Sequence, residues 1–176
     1  VTGVQTCALP ILNCYYGSGN KIYRNVLNDK YSLGNNFVSS LMEEGEDLWI
    51  GTSSGLYIYD RSDDHFLYFD KTTKYGVFIS CEVKKIVKTK NGLIWIATLG
   101  QGIFIYDPAK DVLTQNSIRT FFAWDICQGT DSLVYVSSMQ EGLLCFDEEG
   151  TFLQNYPVSS ELSIDRKSTR LNSSHI

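Results

Sequence analysis

Few side chains in this sequence are suited to bond-making chemistry, and their spacing is poor for it. There are two histidines, His65 and His175, the second one residue from the C-terminal end. A hydrolytic triad or a histidine-rich metal site has little material here. Cys14, Cys81, Cys127 and Cys145 stand singly, with no C-x-x-C spacing to suggest zinc or redox chemistry. Each lies in an apolar or mixed run and is expected to be a small buried hydrophobe. The stretch LGQGIF holds a G-x-G, but no helical pattern follows it, and a phosphate loop needs a helix N-terminus to hold the anion. The acidic groups Glu43-Glu44-Glu46-Asp47 and Asp60-Asp63-Asp64 read as solvated turns. No catalytic residue, metal or cofactor is therefore expected. What remains is binding chemistry: aromatic rings, planar amides and single charges in short polar connections.

The two ends of the chain are related to each other. Ile11 pairs with Asp165, Pro10 with Arg166, and so on outward to Val1 with His175. All eleven pairs can be written as codons that are reverse complements, such as ATC with GAT and CCG with CGG. The implied DNA resembles a short-read sequencing adapter in both orientations. Residues 1–11 and 165–176 are accordingly expected to be translated adapter, excluded from fold reasoning, with Cys7 no lipid anchor. With Arg166, Lys167, Arg170 and Asp165 set aside, 12 basic side chains face 19 acidic ones. That acidic balance lacks the basic stripe of a nucleic-acid binder. No apolar run is long enough for a membrane helix.

Residues 12–164 contain an internal repeat. FVSSLMEEGEDLWIGTSSGLYIYDRSDDHFLYFD (37–70), CEVKKIVKTKNGLIWIATLGQGIFIYDPAKDVLT (81–114) and FAWDICQGTDSLVYVSSMQEGLLCFDEEGTFLQNY (122–156) align. Trp49, Trp95 and Tyr135 fall in one column, spaced 46 and 40; Asp60, Asp107 and Asp147 fall in another, spaced 47 and 40. A worn copy at 14–25, CYYGSGNKIYRN, is read with Gly17 matching Gly51. Each unit offers four short runs of strand character: an alternating run such as Val83–Val87, the β-branched and aromatic LWIGT, IWIAT or LVYVS, then GLYIYD, GIFIYD or GLLCFD, then a looser fourth. Four strands per 40–47 residues make a β-propeller blade. The expected fold is all-β: a partial propeller of four-stranded antiparallel blades, three full (35–70, 77–114, 121–156) and one partial (12–34). Trp49 and Trp95 belong to the core. Gly55, Gly102 and Gly142, just before the third strands, are expected to take positive φ or admit close backbone approach. The strand-closing aspartates are expected to accept a backbone N–H two residues on.

The string SLGNNFVSSLMEEGEDLWIGTSSGLYIYD resembles the two-component regulator propeller repeat. The match runs through Ser32, Leu33, Asn35, Asn36, Val38, Leu41, Leu48-Trp49-Ile50-Gly51-Thr52, Gly55-Leu56 and Tyr59-Asp60. The second unit departs at Ala97, and the third at Tyr135 and Ser137. The resemblance implies the periplasmic sensor half of a hybrid two-component system in a polysaccharide-degrading bacterium. It implies about half of one propeller here, with the remaining blades, a second propeller, a membrane helix and a histidine kinase elsewhere in the parent protein, which is expected to dimerise. The implied partner is a glycan-derived oligosaccharide. Nucleic acid is not expected to contact this fragment, and the membrane would be met only through the parent's other segments. Sugars bind by stacking on rings and by hydrogen bonds from planar polar groups. In a propeller the second-to-third-strand loops and the inter-blade loops share one face. The candidate site is therefore Tyr75, Gln101, Arg119, Trp124, Gln140 and Glu141. The competing roles are inter-blade packing for Trp124 and a solvated loop charge for Arg119. The alternatives for the whole are a protein-interaction propeller without a small ligand and, behind it, a propeller lyase or lactonase.

Overall fold

A computed structural model describes residues 11–118 and 120–157. The end segments read as adapter, apart from Ile11, lie outside the described residues, as does Arg119. Every regular element among the described residues is a strand. A leading hairpin pairs β1 (Leu12–Tyr16) with β2 (Gly19–Tyr23). The first full sheet is β3 (Val38–Glu44), β4 (Asp47–Thr52), β5 (Gly55–Asp60) and β6 (His65–Tyr68). The second is β7 (Glu82–Lys88), β8 (Ile94–Leu99), β9 (Gly102–Asp107) and β10 (Val112–Gln115). The third is β11 (Ala123–Gln128), β12 (Val134–Ser138), β13 (Gly142–Phe146) and β14 (Phe152–Tyr156). Within each sheet, strands follow chain order and pair antiparallel. The all-β, blade-like architecture read from the repeat is what the chain adopts.

The second strand of each sheet explains why the repeat uses large apolar residues. Its side chains alternate between two faces, and both faces are packed. Trp49, 5% exposed, joins Ile86, Ile96 and Phe104 in the core between the first two sheets, while Ile50 faces the hairpin with Leu12. Trp95, fully buried, lies between the second and third sheets against Ala123, Ile126, Val136 and Phe146. Burying one such side chain contributes on the order of 2–3 kcal/mol. Tyr135 occupies the equivalent position in β12, opposite Cys145, but is only half-buried. It points away from the second sheet, and no described sheet packs on that side. The same open side exposes Cys127, which corrects the expectation that all four cysteines are buried; Cys145 is buried, and Cys14 and Cys81 are intermediate.

A polar latch recurs on the opposite side of these sheets. In the β5–β6 turn Asp64 accepts the Tyr59 hydroxyl (2.7 Å) and pairs with Lys21 of the hairpin. In the β9–β10 turn Asp111 accepts Tyr106 (2.6 Å) and pairs with Lys71 of the preceding unit (2.5 Å). Both aspartates sit at positive φ, 59° and 55°, a conformation Asp tolerates better than most side chains. The strand-closing aspartates act as expected in two sheets: Asp60 accepts the Ser62 N–H (2.9 Å) and Asp107 the Ala109 N–H (3.0 Å). Asp147 instead reaches Thr151 (2.6 Å), around a wider turn that Gly150 closes at φ 93°.

The hairpin corrects one alignment. Gly17 lies in the β1–β2 turn at φ 54°, whereas Gly51 is inside β4, paired with Leu56. A linker of residues 24–37 then leads into β3, just as 69–81 leads from β6 into β7. The hairpin thus occupies the place of the third and fourth strands of a blade, and Gly17 corresponds to the β5–β6 turn.

Candidate ligand-binding face

The antiparallel order sorts the connections onto two faces. The β3–β4, β7–β8 and β11–β12 turns, with the β5–β6, β9–β10 and β13–β14 turns, open on one side. They carry charged and small residues such as Glu46, Arg61, Lys90, Lys110 and Glu148. The β4–β5, β8–β9 and β12–β13 loops open on the other side with the linkers between sheets. That side exposes Phe37, Tyr75, Phe78, Phe121, Phe122 and Met139. Isolated exposed apolar side chains need no explanation, but a cluster on one face does.

The first strands create one concavity on this face. β3 touches β7 and β7 touches β11, so these strands form the inner wall of the array. Each carries a bulge near its start. Val38 pairs with Thr52 and Ser40 with Gly51, leaving Ser39 over; Lys84 and Trp124 are left over in the same way in β7 and β11. A bulge inserts a residue and re-aims its side chain. Here it brings Ser39, Lys84 and Trp124 to one groove of about 450 Å³, with Phe37, Ser53 and Glu82 also in its walls. Trp124 is 47% exposed. The Lys84 Nζ lies 4.3 Å from the centre of its ring and donates to Glu82 at 2.9 Å. Trp124 is therefore a groove wall and not inter-sheet packing. The run Val83–Val87 is not strictly alternating: Val83 and Ile86 are buried, with the bulge between them. Sequence reasoning passed over Ser39 and Lys84. The adjacent Lys84-Lys85 inside an apparent alternation was the available signal, since a regular strand puts neighbours on opposite faces.

The second concavity is a cleft of about 650 Å³ along the outer side of the second sheet, between two linkers. Its walls include Lys74, Tyr75, Gln101, Gln115, Asn116 and Phe121. Tyr75 is 81% exposed, with the Lys74 ammonium 5.0 Å from its ring centre. Gln101 is less free than its type suggests. Its Oε1 accepts the Ser80 N–H (2.8 Å) and its Nε2 donates to the Phe78 carbonyl (2.9 Å). The side chain clamps the linker that feeds β7.

Glu141 holds the next linker in the same manner. It precedes Gly142 as Gln101 precedes Gly102, and its Oε2 accepts hydroxyls of Thr120 (2.7 Å) and Ser138. Burial would raise the Glu141 carboxyl, but the Ser138 and Thr120 hydroxyls outweigh it and hold it below its usual value. Gln140 is exposed at the tip of the β12–β13 loop. The structure thus brings Tyr75 and Gln101 to one cleft, sets Trp124 in a separate groove, and places Gln140 and Glu141 on neither wall. The glycines before the third strands have positive φ, 125°, 81° and 88° for Gly55, Gly102 and Gly142. A Cβ on Gly102 would lie 2.6 Å from the Thr120 carbonyl oxygen, so glycine lets the linker approach.

Among the described residues no cluster of three His, Cys, Asp or Glu could hold a metal ion. His65 stacks on Tyr31 with ring centres 4.1 Å apart, outside both concavities. The stretch upstream of β3 that carries the sequence resemblance is architectural. Ser32 Oγ bonds the Val26 and Asp29 carbonyls, Asn36 accepts the Asn25 N–H (2.7 Å), Asn35 accepts the Phe37 N–H (2.7 Å), and Leu33 is buried.

Residues 32–54 match the family model described as two component regulator propeller. Among solved structures, an extracellular domain from B. thetaiotaomicron described as part of a one component system superposes with TM-score 0.70 at 19% identity, over 85% of this chain and 23% of that one. A second B. thetaiotaomicron extracellular domain, described as part of a hybrid two component system, gives 0.58 at 18% identity, over 88% and 22%. Virginiamycin B lyase from Staphylococcus aureus gives 0.61 at 11% identity, over 90% and 56%. At these identities the likeness establishes the fold. The chain spans about a quarter of the length of the two B. thetaiotaomicron chains. No curated protein matches it in sequence. Residues 32–54 of this partial β-propeller thus match the two component regulator propeller model.

Proposed function

We propose that this chain is part of the extracytoplasmic sensor region of a hybrid two-component system and binds an oligosaccharide on its aromatic face. The observation that carries this reading is the half-exposed Trp124 in the inner groove, backed by Lys84 and flanked by Phe37. An indole ring with one open face is a stacking platform, and the Ser39 and Ser53 hydroxyls beside it supply hydrogen-bonding groups. The matching family model and the fold likeness to extracellular domains support the sensor role. Signal output belongs to other parts of the parent protein, so this portion acts by binding and not by turnover.

The test exploits the three tryptophans. Trp49 and Trp95 are buried and only Trp124 is open to solvent, so ligand in the groove should change one emission component. The purified parent protein, which supplies the remaining blades of the ring, is titrated with a panel of neutral and acidic glycans from plant, host and fungal sources, and the Trp124-dependent part of its emission is followed. Saturable fluorescence change that disappears in Trp124→Ala is the expected result. A panel without a single binder, or binding unaffected by Trp124→Ala, refutes the proposal. Turnover of a bound sugar would move the assignment to the lyase class.

A further inference from the structure

The hairpin packs on the first sheet as the first sheet packs on the second, and the two contacts compare position by position. Leu12 pairs with Tyr23 in the hairpin, as Leu56 meets Phe69, whose N–H bonds its carbonyl oxygen. Two residues on, Cys14 takes the place of Ile58. On the facing sheet Leu48 is paired with Tyr59 as Ile94 is with Tyr106. Leu12, Cys14, Tyr23, Leu48 and Tyr59 are thus the counterparts of Leu56, Ile58, Phe69, Ile94 and Tyr106.

The second of these sets packs with the Trp49 indole. The Trp49 ring centre lies 5.1 Å from that of Phe69 and 5.6 Å from that of Tyr106, and those two rings are 5.2 Å apart. The first set builds the same wall: the Tyr23 and Tyr59 ring centres are 5.3 Å apart. Where Trp49 would stand, however, it encloses a cavity of about 230 Å³, with the Glu43–Arg61 ion pair (2.6 Å) on its rim. The backbone beside the cavity differs in the same sense. β5 and β9 each have a strand on both sides, whereas among the described residues β1 pairs with β2 alone.

We infer that this cavity is a socket for an indole side chain, brought in by a β-strand that pairs antiparallel with the open edge of β1. In the register of β4 on β5, its Trp stands opposite Cys14, as Trp49 stands opposite Ile58 and Trp95 opposite Ile105. Main-chain bonds to the edge supply affinity, and the socket selects the side chain. The occupant is a strand of the LWIGT type found in this chain's own repeats, carried by the parent protein. Residues 1–10 hold no aromatic side chain that could serve. The socket shares no residue with the groove or the cleft, so it stands or falls independently of sugar binding.

Cys14 lines the socket and is partly exposed, which makes its thiol the reporter. The whole chain, with Cys7→Ser to leave Cys14 the one thiol before Lys21, is labelled with a maleimide and read by peptide mass. The probe is a synthetic peptide of residues 38–52, VSSLMEEGEDLWIGT, which carries a first and a second strand with Trp49. Labelling of Cys14 should slow along a saturable curve, by about fivefold at high peptide concentration. Cys127 should label as before, and the Trp49→Ala peptide should leave the Cys14 rate nearly unchanged. No slowing at Cys14, equal slowing by both peptides, or equal slowing at Cys127 overturns the inference. So does a Cys14 already protected without peptide. Relief on dilution would then give the socket to a second copy of the chain, and relief on deleting residues 1–10 would give it to that segment.

Discussion

Replacing Gly102 by alanine tests whether the linkers are held in place by backbone contact at the third-strand glycines. Gly102 has φ 81°, and an L side chain in that region costs about 1–2 kcal/mol. The added methyl would also stand 2.6 Å from the Thr120 carbonyl oxygen, well inside van der Waals contact. Relief requires the linker to retreat, and Thr120 is buried and bonded to Glu141. Overpacking of this kind costs about 1–3 kcal/mol more. Gly92 provides the control: its φ is 89°, but a Cβ there meets nothing within 4 Å. Gly92→Ala therefore carries the conformational cost alone. Urea unfolding followed by circular dichroism should show Gly102→Ala as the more destabilised by about 1–3 kcal/mol. In thermal melts that separates the two by about 2 °C or more for a chain of this size. Equal destabilisation would mean that the linker does not rest on the β9 backbone, and would refute the reasoning. Gly55, whose Cβ would lie 3.1 Å from the Ile79 carbonyl oxygen, should respond in the same direction.

Three further outcomes follow from side-chain environments. The Trp95 Nε1 is buried without a hydrogen-bond partner, so Trp95→Phe removes an unsatisfied donor along with some volume; its cost in urea unfolding should stay below about 1.5 kcal/mol, against about 3–5 for Trp95→Ala. Asp111 is held below the usual carboxylate range first by the Lys71 ammonium and then by the Tyr106 hydroxyl. A depressed folded pKa adds stability above the unfolded value, about 3.9, that disappears as pH falls through the lower folded value. Asp111→Asn should thus melt lower than the parent near neutral pH and lose less on acidification to about pH 3. Cys127 is exposed while Cys145 is buried, so native maleimide labelling read by peptide mass should modify Cys127 well before Cys145.

Much of the architecture was legible because it depends on local pattern. Alternating β-branched and aromatic runs, turn residues and a repeat of 40–47 residues specify strands, their order and their partners. Trp49, Trp95, the positive-φ glycines and the turn aspartates Asp60 and Asp107 all follow from position within one unit. The leading hairpin was misaligned because residues 12–23 hold no member of the Trp column that fixes register. Its following linker identifies it only once the strands are seen to pair.

The candidate site was legible as a face but not as a set of residues. Loop order along an antiparallel sheet determines which connections share a side, so Tyr75, Gln101 and Trp124 could be grouped on one face from sequence alone. Whether a polar side chain is free there is a tertiary question, because its hydrogen-bonding groups can be taken by backbone from another part of the chain. Gln101 and Glu141 look like ligand contacts by type, yet their oxygens serve linkers 21 residues away in sequence. Bulges make the complementary case. One extra residue in each first strand turns Ser39, Lys84 and Trp124 into a common groove, although they come from three separate units. Sequence thus determined the repeating unit and its faces, through periodicity and turn chemistry. Only the stacking of the units decided which side chains remain open to a ligand, because burial and hydrogen-bond satisfaction are properties of neighbours brought together by the fold.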